Sequence, residues 1–183
     1  MANLRITSPL GKTVIPQLKT GDTVLISGLV YTARDAAHKR LAEALAQGKD
    51  LPVSLMGQTV YYMGPSPAPP GRVIGACGPT SSSRMDSFTV PLLEAGVGAL
   101  LGKGERSAAV KDALRKHGAV YLVTYGGAGA LLARAVQKAE VMAYPELGAE
   151  AVMRLEVKDL PAIVANDTCG GDLFSEEIAK YRK

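Results

Sequence analysis

The sequence predicts an α/β protein with a mixed sheet, built as a single domain over residues 1–183. Apolar, β-branched runs alternate with amphipathic stretches through the middle of the chain, which indicates strand–helix units. Predicted strands follow one another without helices near both ends, and this favours a mixed sheet over a strictly parallel one. A chain of 183 residues with 47% hydrophobic residues can bury one core without disulfides or a structural metal.

The first half of the chain is predicted to hold two strands and one helix. Residues 23–31, TVLISGLVY, form an apolar run typical of a buried strand. Residues 34–48 follow as a helix with an apolar stripe, and Gly48 ends it. Residues 58–63 are the next strand, and the four prolines within 64–71 force an extended surface loop after it.

The second half continues the alternation and then turns to strands. In chain order the prediction is a strand at 72–77, a helix from near Ser83, a strand at 98–101, a helix at 107–117, a strand at 119–125, a helix at 130–137, and strands at 152–159 and 161–167. Leu160 and Pro161 are predicted to form a tight turn between the last two strands.

Charge and composition exclude several classes of function. The net charge is +4 and the basic residues are scattered, whereas nucleic-acid binding is expected to leave a clustered basic stripe. No apolar stretch approaches the length of a membrane span, so we expect no membrane contact and a cytoplasmic location. The two cysteines, Cys77 and Cys169, lie far apart and cannot hold a cluster that needs three or four thiolates.

Three loops that follow predicted strands carry candidate binding residues. The first, 32–40, places Arg34 at a helix start, where the macrodipole favours anions, so a nearby negative ligand would explain a guanidinium there. The alternative is an ordinary solvated helix start with Asp35 complementing the dipole. His38 lies one helical turn later and is placed to orient Arg34 or touch a ligand.

The second loop, 78–86, brings Thr80, a run of serines that begins at Ser81, and Arg84 to a helix N-terminus. Free amides, hydroxyls and a guanidinium together make a cradle for a carboxylate or phosphate; redundant helix capping is the alternative. The third loop, 102–107, places Lys103 between two glycines, where a ligand can approach the backbone; its alternative is an exposed turn.

Together these loops resemble one known family. The segments ISGLVYTARDAAHKR, GACGPTSSSRMDSF, GKGERS and KHGAVYL, in this order and spacing, are similar to the C-terminal half of class I fumarases, the iron–sulfur hydro-lyases. In many organisms that half is a separate β subunit, and the resemblance covers nearly the whole chain. The L(+)-tartrate dehydratase β subunit shares the same framework.

The resemblance implies a swivelling β/β/α fold and an active site shared with an α subunit that carries a four-iron four-sulfur cluster. This chain would bind no cofactor and no metal itself, and would be inactive without that partner. It also implies a fumarate hydratase of the tricarboxylic acid cycle whose αβ pairs form a homo-oligomer.

By the same resemblance, Arg34, Arg84 and Lys103 would bind the carboxylates of fumarate or malate, and Thr80 would be the catalytic base. Ser81, where the family often has a second threonine, keeps the hydroxyl. The forms RDAAHKR and KGERS are more similar to fumarases than to tartrate dehydratases. A tartrate dehydratase β subunit and a non-catalytic anion-binding module stay as alternatives.

Overall fold

Strands and helices alternate through most of the computed structural model, which describes residues 3–182. The strands are β1 Leu4–Ser8, β2 Thr23–Thr32, β3 Thr59–Tyr61, β4 Ala99–Gly102, β5 Val120–Val123, β6 Val136–Ala143 and β7 Val152–Asn166. The α-helices are α1 Asp35–Ala46, α2 Asp86–Glu94, α3 Ala108–His117, α4 Gly129–Leu132 and α5 Leu173–Tyr181. Short 3-10 turns cover Ile15–Gln17, Ser82–Met85, Ala133–Ala135 and Pro145–Glu150.

Five of the strands close into a barrel. Strands β2, β3, β4 and β5 lie side by side and parallel, and β7 pairs antiparallel with both β5 and β2 to complete the ring. Strand β1 adds in parallel to the first half of β2, and β6 adds antiparallel to the first half of β7. The predicted α/β class with a mixed sheet is therefore confirmed.

Successive side chains of the central strands feed two separate cores. Tyr61, Leu101 and Leu122 belong to the first core, to which all five barrel strands contribute. Their neighbours Leu100 and Tyr121 belong to the second core, which the strands share with α1, α2 and α3. Alternation with a period of two explains why these strands are apolar on both faces.

The helix termini agree with the signals in the sequence. Helix α3 begins after Ser107 and ends at Gly118, which has a φ of 63° and adopts the left-handed conformation that closes helices. Helix α1 ends shortly before Gly48, also at positive φ. Its first turn is capped from a distance, because Glu150 Oε2 accepts a hydrogen bond from the Ala36 amide at 2.8 Å.

The prediction of a strand at 72–77 is wrong, because the segment forms no strand. Single hydrogen bonds hold it in place instead of a ladder to a neighbouring strand. The Tyr61 hydroxyl donates to the Cys77 carbonyl at 2.5 Å, and the Cys77 amide donates to the Gly129 carbonyl at 2.9 Å. Its apolar residues Ile74 and Cys77 are buried in the first core, which accounts for the strand-like composition.

The tight turn predicted at Leu160 and Pro161 is also wrong, because β7 runs unbroken from Val152 to Asn166. The irregularity is a bulge at Asp159, whose φ is 53° and whose amide donates to Ser27 Oγ at 3.1 Å. Pro161 stays in the strand opposite Leu25.

The helix predicted at 130–137 is correct as far as residue 135. Helix α4 and a 3-10 turn cover Gly129 to Ala135, but Val136 already begins β6. Strands β1 and β6 and helix α5 were not predicted. No helix within residues 3–182 is long and apolar enough to cross a membrane.

Candidate functional site

The candidate site lies where the parallel barrel strands end. Strands β2, β3, β4 and β5 point the same way, so the loops that follow them meet at one edge of the barrel. The segment around Thr80 is anchored at this edge, because its amide donates to the Tyr62 carbonyl at 2.6 Å just after β3. The three loops singled out in the sequence are thus brought together.

Arg34 and Arg84 share one carboxylate, that of Asp35. Arg84 binds it with two prongs, Nε to Oδ1 at 2.9 Å and Nη2 to Oδ2 at 2.8 Å. Arg34 Nε lies 3.2 Å from Oδ2, and Arg34 Nη2 lies 3.3 Å from Glu150 Oε1. A guanidinium has five N–H donors, so both arginines keep donors for a further anion.

Asp35 is held in its charged form. Partial burial alone would raise the pKa of this carboxyl, but hydrogen bonds from its own backbone and from Arg34, together with the charge of Arg84, outweigh burial and lower the pKa. The sequence suggested only that Asp35 complements the helix dipole, and it gave no sign of Glu150, which is far away in the chain. The only sequence feature that could have revealed the role of Asp35 in holding the arginines is its position directly after Arg34.

Lys103 is fixed to the second loop through the backbone. The Ser82 amide donates to the Lys103 carbonyl at 2.9 Å, and the Lys103 amide donates to Ser82 Oγ at 3.1 Å. Ser81 forms a parallel bridge with Lys103. Gly102 makes this approach possible, since a Cβ there would lie 2.0 Å from Ser82 Oγ.

The side chain of Lys103 passes close to Gly126 in the loop after β5. A Cβ built on Gly126 would lie 3.4 Å from Lys103 Cδ and 3.9 Å from Nζ. No acidic side chain within residues 3–182 forms a salt bridge with Lys103, unlike Arg34 and Arg84. Its ammonium is therefore a charge without an internal counterion.

Thr80 and Ser81 differ in exposure although they are neighbours. Thr80 is 9% exposed, while Ser81 lies on the surface. Residues 80–84 thus place a nearly buried hydroxyl close in the chain to the exposed guanidinium of Arg84.

His38 is fully buried and supports the loop from within. Its Nδ1 lies 3.2 Å from the Arg34 carbonyl oxygen, and its ring meets the Tyr62 ring edge-on at 4.8 Å between centroids. Burial lowers the pKa of His38 to about 4, so the ring is neutral at pH 7. Within the described residues, His38 Nε2 is buried and has no hydrogen-bond partner. The contact that His38 makes with Arg34 is to its backbone and not to its guanidinium.

Arg106 lies in the third loop, and its local sequence predicts no role for it. Its side chain is 0% exposed and pairs with Asp86 Oδ1 at 2.8 Å. It also donates to Thr89 Oγ1 at 2.7 Å and to the Tyr62 hydroxyl at 3.3 Å. Burial alone would lower the pKa of Arg106, but Tyr62 and Asp86 raise it. Nothing in its local sequence separates this arginine from surface ones.

The residues described here do not suit a metal cluster. Within residues 3–182 no group of three or more His, Cys, Asp or Glu side chains could hold a metal ion. Cys77 is buried and Cys169 is exposed, so the two thiols are not presented together. Burial also raises the pKa of Cys77 to about 11, which disfavours the thiolate that ligates metals.

The chain is similar in sequence to known proteins. The chain is 40% identical over 169 residues to "Fumarate hydratase class I, anaerobic" of Escherichia coli (strain K12), covering 91% of this chain and 31% of that protein. It is 39% identical over 168 residues to "Fumarate hydratase 2" of Leishmania major, covering 90% of this chain and 29% of that protein. The chain thus spans less than a third of the length of these two relatives.

A third relative has nearly the same length. "Putative L(+)-tartrate dehydratase subunit beta" of Methanocaldococcus jannaschii is 36% identical over 181 residues, covering 95% of this chain and 93% of that protein. The family model described as Fumarase C-terminus matches residues 2–177. Since that match takes in nearly the whole chain, including all three loops at the barrel edge, the chain belongs to the Fumarase C-terminus family.

Proposed function

We propose that this chain is the β subunit of a two-subunit class I fumarate hydratase, which interconverts fumarate and malate at a site shared with an α subunit. The observation that carries the proposal is the meeting of Arg34, Arg84 and Lys103 with Thr80 at one edge of the barrel. Three cations and a nearly buried hydroxyl on loops that meet at one edge suit a small dicarboxylate that undergoes proton transfer.

The arginines would bind one end of the substrate. Asp35 holds the Arg84 guanidinium through Nε and Nη2, which leaves Nη1 free of that carboxylate. Arg34 is likewise held at Nε and Nη2 by Asp35 and Glu150. Both guanidinium groups are therefore oriented before a substrate arrives, so less conformational entropy is lost when a carboxylate binds.

Lys103 would bind the other carboxylate, because its ammonium has no acidic partner in the described residues. The three cations and the two carboxylates of Asp35 and Glu150 leave one net positive charge. A dicarboxylate dianion carries two negative charges, so one of them would stay uncompensated. A partner that contributes a further positive group would neutralise it, which supports a shared site.

Thr80 would move the proton. A hydroxyl is a weak base at its ordinary pKa, so the positive charges of Arg84 and Lys103 would be needed to lower that pKa. The Thr80 side chain is only 9% exposed, so little water reaches it and its electrostatic interaction with those charges would be stronger. Ser81 and His38 would support the loop without taking the proton.

We further propose that the four-iron four-sulfur cluster resides on the α subunit, since this chain has no group of ligands for it within residues 3–182. The swivelling β/β/α type, the homo-oligomer of αβ pairs, the tricarboxylic acid cycle and the cytoplasmic location belong to the same proposal. Family membership is what supports them.

A tartrate dehydratase β subunit is the second candidate, and one observation favours it. The chain covers 93% of the M. jannaschii relative named for that activity, whereas it covers about three-tenths of the two fumarate hydratases described above. Identity favours the first candidate, at 40% and 39% against 36%.

Activity assays of the chain alone and with its partner test the proposal. We expect the purified chain to be colourless, to bind no iron and to have no hydratase activity, and anaerobic reconstitution with an α subunit to give turnover of fumarate. Hydration of fumarate by the chain alone would show that the shared-site model is wrong. A complex that converts L(+)-tartrate but not fumarate would select the second candidate, and one that converts neither would leave an anion-binding module.

A further inference from the structure

A second cleft lies outside the loop cluster described above. Its volume is about 490 Å³, within the roughly 300–1,000 Å³ of small-molecule sites. One wall is formed by residues 69–76, from the end of the proline-rich loop and the segment that follows it, and the other by residues 130–136 around α4. None of Arg34, Thr80, Arg84 or Lys103 lines it, so it is separate from the proposed active site.

The cleft carries two positive charges and no negative one. Arg72 lies on one wall and Arg134 on the other, and no Asp or Glu lines the cleft. Within residues 3–182 neither arginine has an acidic side chain within 4.0 Å, and only Arg182 shares that condition among the arginines. Two guanidinium groups facing one space without counterions favour an anion.

Backbone amides of one wall add further donors. Ile74 and Gly75 line the cleft, and within the described residues their amides donate to no backbone carbonyl. A Cβ on Gly75 would lie 2.0 Å from the Ser66 carbonyl oxygen, which explains the glycine at this position. An acceptor oxygen of a ligand would find N–H groups without protein partners here.

The remaining lining is apolar. Ile74 is 8% exposed and Val136 is 7% exposed, and Ala130 and Ala133 lie beside them. An inorganic ion would leave this surface unused, whereas a short hydrocarbon chain would pack against it.

We propose that this cleft binds a small organic anion, with its carboxylate or phosphate on Arg72 and Arg134 and its carbon chain against Ile74 and Val136. The proposal does not depend on the activity assigned to the barrel edge. It adds a second ligand site, on the segment that leads through Cys77 to Thr80.

NMR titration of the 15N-labelled full chain tests this site directly. Succinate and, separately, inorganic phosphate are added while the amide signals of Ile74, Gly75 and Ala133 are followed. We expect saturable shifts at these amides and an affinity at least tenfold weaker in the double variant Arg72→Gln/Arg134→Gln. Arg182→Gln is the matched control, since it removes an unpaired guanidinium elsewhere and should leave the affinity unchanged.

The variant Arg84→Lys separates the cleft from the barrel edge, because it alters the proposed active site but should leave the cleft shifts intact. Tighter binding of succinate than of phosphate would support a carboxylate ligand, and the reverse order would support a phosphate ester. Absence of shifts at the three amides with both probes, or shifts that persist in the Arg72→Gln/Arg134→Gln variant, would overturn the proposal.

Discussion

Two arginine environments in the same loop cluster differ in how much of each guanidinium is engaged. Arg106 is 0% exposed and donates from Nε, Nη1 and Nη2 to Asp86, Tyr62 and Thr89. Arg84 has a side chain 51% exposed and donates from Nε and Nη2 to a single carboxylate, that of Asp35. A buried cation whose three nitrogens all donate to protein groups stabilises the fold, whereas an exposed, pre-oriented one is available to a ligand.

The largest effect that tests this comparison is expected at Arg106, on the stability of the fold. We expect Arg106→Met to lower the free energy of unfolding by about 3–5 kcal/mol, because Asp86 would lose its buried partner. Urea unfolding followed by circular dichroism measures this. The exposed pair of Arg115 with Asp112 provides the control, and Arg115→Met should cost about 0–1 kcal/mol. Equal small losses in both variants would show that the buried pair does not hold the loops.

The opposite outcome is expected at Arg84. Arg84→Lys should lower kcat/KM of the reconstituted complex by a factor that corresponds to about 2–4 kcal/mol of transition-state stabilisation. A lysine ammonium cannot keep the two-pronged contact with Asp35 and also present a further, oriented N–H group to the substrate. The free energy of unfolding should change by no more than about 0.5 kcal/mol. A near-normal kcat/KM would remove Arg84 from the substrate site.

Thr80 distinguishes proton transfer from a purely structural role in the same loop. Helix capping is not that role, because the turn at Ser82–Met85 and helix α2 begin without a side-chain cap hydrogen bond. If Thr80 is the base, Thr80→Val should lose most of its kcat and Thr80→Ser should lose little. If its role is only structural, the activity of Thr80→Val should follow the folded fraction. Melting temperature and kcat are measured on the same reconstituted samples, and a Thr80→Val variant with most of its kcat would transfer the base role to the α subunit.

His38 has an effect only at acidic pH, where it is visible in the pH dependence of stability. Burial lowers its pKa from 6.5 to about 4, so between these values the unfolded state binds more protons than the folded state. The stability linked to neutral His38 is therefore fully present above about pH 6.5 and is lost as the pH falls toward 4. His38→Gln should reduce this slope in urea unfolding series, and an unchanged slope would show that His38 does not titrate as described.

The sequence was sufficient for elements whose signals are local. Strands β2, β4 and β5 and helices α1 and α3 were predicted because apolar periodicity and glycine stops mark them within a few residues. The loops that follow β2, β3 and β4 meet because parallel strands bring their carboxyl ends to one edge, whereas the sequence placed the second loop after a strand at 72–77 that does not form. What the sequence lacked was any marker of distant partners such as Glu150 for Arg34.

The errors have the same origin. Residues 72–77 have a strand's composition, but their buried side chains enter the first core without a strand beside them. Leu160 and Pro161 resemble a turn, yet β7 pairs with β2 on both sides of the bulge at Asp159, so the strand continues. Tertiary pairing overrode local preference in both cases.

Strand β7 has a consequence for how the chain acquires its structure. It comes last among the barrel strands in sequence, yet it is the one that joins β2 to β5 and closes the ring. During synthesis the edges of β2 and β5 that pair with β7 stay unpaired until residues 152–166 have left the ribosome. Such late, long-range pairing slows folding and exposes strand edges to other chains until β7 has paired.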